Sequence, residues 1–67
     1  MTKQEREIAF DQGYICAISC IVAGHGADTG TREALRANKP KSWKHIELYD
    51  IKVLQKAGMI DKARRLK

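Results

Sequence analysis

A chain of 67 residues with 13 Lys and Arg against 8 Asp and Glu has room for one domain, residues 1–67, around one small core. Such a chain buries only about 60% of the surface it exposes when unfolded, so a lone monomer is marginal and oligomerisation is a common remedy. Catalytic and ligand pockets usually need about 300 Å³ or more, so an enzyme is not expected, nor is a cofactor.

The chain opens on Thr2-Lys3-Gln4-Glu5, the form of a capping box, with Glu5 suited to the positive end of a helix dipole. The spacing predicts a helix from Lys3 to about Gly24. Phe10, Tyr14, Ala17, Ile18 and Ile21 fall on one apolar face, and Ile8, Ile15 and Val22 mark a second line about a quarter-turn away. Nine of the ten residues 14–23 are apolar, the exception being Ser19, which would bond a carbonyl one turn back. A helix apolar all round must be covered on several sides. Gly13 costs about 1 kcal/mol relative to alanine in a helix, and either a close backbone approach or a local bend would explain it.

A helix of about 22 residues measures about 33 Å, whereas a domain of this size should be only about 28 Å across. The first helix is therefore the axis on which the rest packs, and part of its apolar surface is left for a partner. A homodimer is the simplest solution, because a twofold axis lets one patch cover itself. Phe10, Gly13, Tyr14, Ala17, Ile18 and Ile21 are the expected interface residues, with a place in the internal core the equal alternative for Phe10 and Tyr14.

Cys16 and Cys20 lie one turn apart and read as small buried thiols in a reducing compartment. The first seven residues are strongly polar, so no leader is expected. The ten-residue apolar run falls short of the roughly 20 residues needed to span a bilayer. A soluble cytoplasmic protein without membrane contact is expected.

Gly24-His25-Gly26 should end the first helix. Asp28 and Thr29 are suitable N-caps for a short helix over residues 30–37, anchored by Ala34 and Leu35 and weakened at its start by Gly30. Residues 38–41 form a connector around Pro40, and Ser42 caps one turn carrying Trp43 and Ile46, with Trp43 in the core. A third helix is expected over residues 47–57, with Tyr49, Val53, Leu54 and Ala57 inward. Gly58 follows its cap, Met59 and Ile60 fold back, and Asp61 starts a last frayed turn over residues 62–67. No stretch alternates like a strand. The expected fold is all-α, a long N-terminal helix with two or three short helices packed back on it.

Cys16, Cys20, His25 and His45 are the soft metal ligands, but they do not form the short-spaced loop pairs of a structural zinc site. Nucleic-acid binding has more behind it. Residues 1–31 carry two basic side chains against four acidic ones, and residues 32–67 carry eleven against four. Arg32, Arg36, Lys39 and Lys44, with Lys41 and Trp43 among them, could contact nucleic acid or an acidic partner. The stretch from Leu54 to Ile60 looks like a helix end of small winged-helix proteins, yet the turn over residues 24–38 does not match a helix-turn-helix and no wing strands are expected. Surplus apolar helix surface favours protein–protein contact instead, with aromatic anchors.

Residues 10–18, the segment His25-Gly26-Ala27-Asp28-Thr29, Ala34-Leu35-Arg36 and residues 46–54 resemble small helical phage and prophage proteins. The likeness spans residues 8–54, and phage anti-quorum-sensing proteins belong to the same group. The resemblance implies a homodimeric helical module that binds and inhibits a host protein, such as a transcriptional regulator, in the host cytoplasm. Gly30 and the extended basic tail depart from that pattern. The runner-up function is a small basic DNA-binding regulator.

Overall fold

A computed structural model describes residues 2–66; Met1 and Lys67 lie outside the described residues. Three helices follow one another: α1 (Lys3–His25), α2 (Thr29–Ala37) and α3 (Leu48–Lys56). Among the described residues there is no strand, only one isolated antiparallel bridge between Ile60 and Leu66. Both shorter helices pack on α1. The molecule measures 34 × 21 × 19 Å with a radius of gyration of 11.4 Å. At 1.5 Å per residue, the 23 residues of α1 span about 34 Å, the full long axis.

The helix starts are set by side chains that satisfy otherwise unpaired backbone donors. At α1 the Glu5 N–H donates to Thr2 Oγ1 at 3.1 Å. The Glu5 carboxylate accepts from the Thr2 hydroxyl rather than from its backbone N–H. At α2 the box is complete: the Thr31 N–H donates to Asp28 Oδ1 at 2.7 Å, and the Asp28 N–H donates to Thr31 Oγ1 at 2.9 Å. α3 starts at Leu48 without a side-chain cap.

The stops depend on glycine where a positive φ is needed. Gly26 takes φ +83° at the end of α1, where its N–H donates to the Val22 carbonyl. Gly58 takes φ +76° after α3. Its N–H bonds the Gln55 carbonyl and the Met59 N–H bonds the Leu54 carbonyl, a Schellman turn that seats Met59 against Leu54.

Contacts between residues far apart in the sequence show the directions of the helices. Tyr14 Oη donates to the Ala34 carbonyl at 2.8 Å, and Lys41 Nζ pairs with Glu7 at 3.2 Å, so α2 and its connector run back down α1. Gln12 Nε2 donates to the His45 carbonyl and Ser19 Oγ to Asp50 Oδ1, so α3 returns parallel to α1. In the connector, Pro40 is buried, the Lys44 N–H bonds Ser42 Oγ, and the Ile46 N–H closes a turn on the Trp43 carbonyl. Trp43 packs half-buried against the core, as expected.

The core consists of Ile15, Ile18, Val22, Leu35, Ile46, Ile51, Leu54, Met59 and Ile60. On α1 the buried line is thus Ile15, Ile18, Ser19 and Val22, and of the Phe10-Tyr14-Ala17-Ile18-Ile21 face it contains Ile18 alone. Ser19 bonds the Cys16 carbonyl as expected, and its hydroxyl also lies 2.6 Å from the buried Asp50 carboxylate. That polar pair takes an inward position on each helix and turns the outer face away from the core. Tyr49, expected inward, is 67% exposed because α3 directs Asp50, Ile51 and Leu54 to the core. Residues 61–66 form no helical turn. The Asp61 N–H bonds the Arg65 carbonyl, the Arg65 N–H bonds Asp61 Oδ1, and Arg64 sits at φ +64°.

Removing one partner of the buried pair leaves the other unsatisfied, so Ser19→Ala should lower unfolding free energy by about 2 kcal/mol. In denaturant titrations the double variant Ser19→Ala/Asp50→Leu should cost clearly less than the sum of the single changes; strict additivity would show that the pair is not coupled. Hydrogen bonds from the Thr31 backbone and then its hydroxyl lower the Asp28 pKa. The cap therefore adds stability that is full above the ordinary carboxylate value, near pH 4, and fades as pH falls through the lower folded-state value. Asp28→Asn should abolish that part of the acid dependence of the thermal midpoint; an unchanged profile would remove the cap from the explanation.

Candidate interaction surface

The side of α1 turned away from α2 and α3 is the most unusual surface of the molecule. Ala9, Phe10, Gln12, Gly13, Cys16, Ala17, Cys20, Ile21, Ala23 and Gly24 are all exposed. From Gln12 to Gly24 no charged residue occurs, and Gln12 and the buried Ser19 supply the polar atoms outside the Tyr14 hydroxyl and the two thiols. Phe10 is 57% and Ile21 48% exposed. The most apolar 18-residue stretch of α1 is only 22% buried, so the core does not account for its composition. By length and composition α1 is apolar enough to cross a membrane, a property that the ten-residue run understated.

The sequence-predicted interface is only partly assembled on this face. Gly13, Ala17 and Ile21 lie on it, with Phe10 exposed at its margin, where it also borders Ala37, Asn38 and Lys39 at the end of α2. Ile18 is 4% exposed and belongs to the core, so it offers nothing to a partner. Tyr14 is half-buried at the α2 edge, where its hydroxyl holds the Ala34 carbonyl and its ring stacks on Phe10 at 5.6 Å. A Cβ added at Gly13 or Gly24 would meet nothing within 4 Å. The helical cost of Gly13 thus serves no contact within the chain. Neither glycine has the positive φ that would favour it over alanine.

Total accessible surface points the same way. A folded monomer of 7.6 kDa is expected to expose about 4,300 Å². This chain exposes 4766 Å². The excess is roughly 450 Å², about half of one partner's share in a standard interface.

Cys16 and Cys20, expected to be buried, are both exposed, because the inward positions of α1 fall at Ile15, Ile18, Ser19 and Val22. The Asp50 carboxylate beside Cys16, followed by a hydrogen bond with Cys20, raises the Cys16 pKa above its ordinary value. Among the described residues no three His, Cys, Asp or Glu side chains converge to hold a metal ion.

The basic residues divide between separate places. Arg32 and Arg36 flank a crevice with Leu35, Met59 and Leu66. Lys39 lines a different groove with Lys3, Arg6, Phe10 and Lys41, in which Glu7 and Asp11 also lie. Lys44 is exposed on the connector. The sequence assigned Lys3 and Arg6 to an acidic half, and the reversal of the chain after α2 brings them beside Lys39. A neighbouring cleft of about 150 Å³ between the start of α1 and the connector is lined by Glu7, Asp11, Lys41, Ser42 and His45. Leu48, 56% exposed, and Tyr49 form a second apolar exposure on α3 that the sequence reading did not mark.

No protein-family model, no curated protein and no solved structure matches the chain.

Thiol chemistry gives a direct check on the electrostatics of the outer face. In a Cys20→Ser background, alkylation of Cys16 should follow a pH profile with a midpoint above that of a free peptide thiol. Asp50→Asn should bring it down. A wild-type midpoint at or below the peptide value would contradict the placement of Asp50 beside the thiol.

Proposed function

We propose that this chain is a non-enzymatic binding module that forms a homodimer through the outer face of α1 and acts by occupying the surface of another protein. The observation that carries this reading is the uncharged outer face between Phe10 and Gly24, which the chain itself leaves uncovered. Soluble monomers rarely expose an apolar patch of this continuity unless something binds there. The same association offsets the marginal burial of a chain this short. Leu48 and Tyr49 are the anchors for the second protein, since an exposed aromatic beside an aliphatic side chain is a common interface hot spot. The resemblance to small phage proteins makes that second protein a host factor, such as a transcriptional regulator, which the module inhibits in the host cytoplasm.

A DNA-binding regulator is the second reading, favoured by the groove that Lys3, Arg6, Lys39 and Lys41 line with Phe10, where four basic side chains outnumber Glu7 and Asp11. Phosphate contacts of this number make affinity fall steeply with salt.

Sedimentation velocity should show a dimer at micromolar concentration, and a monomer throughout would overturn the reading. Tyr49→Ser should leave the dimer intact while abolishing stoichiometric, salt-resistant capture of one host protein. Duplex binding at low salt that disappears with Lys39→Ala would instead favour the nucleic-acid reading.

A further inference from the structure

The outer face of α1 contains its own complement. Phe10, Gly13, Ala17, Ile21 and Gly24 fall within about 80° of arc at 100° per residue, nearly opposite the buried Ile15-Ile18-Ser19-Val22 line. Ala17 is the midpoint of two pairs in this stripe, Phe10 with Gly24 and Gly13 with Ile21. Each pair joins a large exposed side chain to a glycine with open space where a Cβ would be. We propose that two copies of this chain pack α1 against α1 antiparallel, about a twofold axis at Ala17. Phe10 of each copy then lies over Gly24 of the other, and Ile21 over Gly13.

This inference rests on the reading of α1 as the self-association face and adds its register and direction. In an antiparallel twofold pair, a residue a given number of positions before the axis faces the one the same number after it. Bulk therefore meets space at both pairs, and the small Ala17 lets the helices approach at the crossing. A parallel pair sets each residue against its own copy, Phe10 on Phe10 and Gly13 on Gly13, leaving gaps beside bulges. The contact runs about 21 Å along each helix, and the glycines supply the open space that the large side chains require. With no charge between Gln12 and Gly24, neither copy buries an unpaired ion on the other.

The test is made on the full chain with Cys16→Ser/Cys20→Ser, which removes both exposed thiols. Ala17→Cys in that background should form a disulfide-linked dimer with oxidised glutathione. Two thiols then give one S–S bond, and their two electrons and two protons reduce one oxidised glutathione to two thiols. Phe10→Cys should give none, because the two copies of position 10 lie about 21 Å apart. Gly13→Leu should weaken the dimer by about ten- to a hundredfold. Ile21→Gly added to Gly13→Leu should recover most of that loss, since the two positions face one another across the axis. Linkage at position 10 with none at 17 overturns the register while leaving self-association standing. A monomer by sedimentation overturns both, as does flotation of the protein with anionic phospholipid vesicles accompanied by loss of the dimer.

Discussion

The length of α1 governs what the rest of the chain can do. Its 23 residues run the full 34 Å of the molecule, and two nine-residue helices, their connectors and the segment after α3 are the material available to cover it. They do so on one side, α2 running back down the helix and α3 returning beside it. A single hydrogen-bonded pair, Ser19 with Asp50, holds α3 against α1 inside the core at 2.6 Å. The buried carboxylate takes its partner from that one position, which lies on the same side of α1 as the core residues Ile15, Ile18 and Val22. The opposite side is left to solvent or to a partner.

This division gives the outer face its meaning. A helix packed on one side in a water-soluble protein normally carries charges on the other. Here the charges lie in the first turns of α1, in the shorter helices and their connectors, and in the segment after α3. The outer face keeps small and apolar residues, with open space at both glycines. The homodimer proposed above would cover this surface and add to the burial of a chain of 67 residues.

Ends of elements were legible because their chemistry is local. Thr2, Asp28, Ser42, Gly26 and Gly58 act within three or four residues of themselves, so the caps and turns could be read from spacing. The inward direction of α1 was not legible in the same way. With nine apolar residues in ten, residues 14–23 show no contrast from which a face can be chosen. The spacing offered two apolar lines, Phe10-Tyr14-Ala17-Ile18-Ile21 and Ile8-Ile15-Val22, and the core took Ile18 from the first and Ile15 and Val22 from the second. The one polar residue in the run was the useful signal. Ser19 faces inward because Asp50 does, and that pairing joins residues 31 positions apart. Cys16, Cys20 and Tyr49 were misplaced for the same reason, being apolar enough for either side.

By itself the sequence determined an all-helical chain, the long first helix, the positions of its caps and breaks, and a surplus of apolar surface along it. These follow from propensity, capping and length, which need no knowledge of what touches what. Only the tertiary structure decided which face of α1 is core and which is free, that Ile18 is internal while Leu48 and Tyr49 are exposed, and that Lys3 and Arg6 join Lys39 in one groove. Those outcomes depend on contacts between residues far apart in the chain, and an evenly apolar helix has no local preference with which to anticipate them.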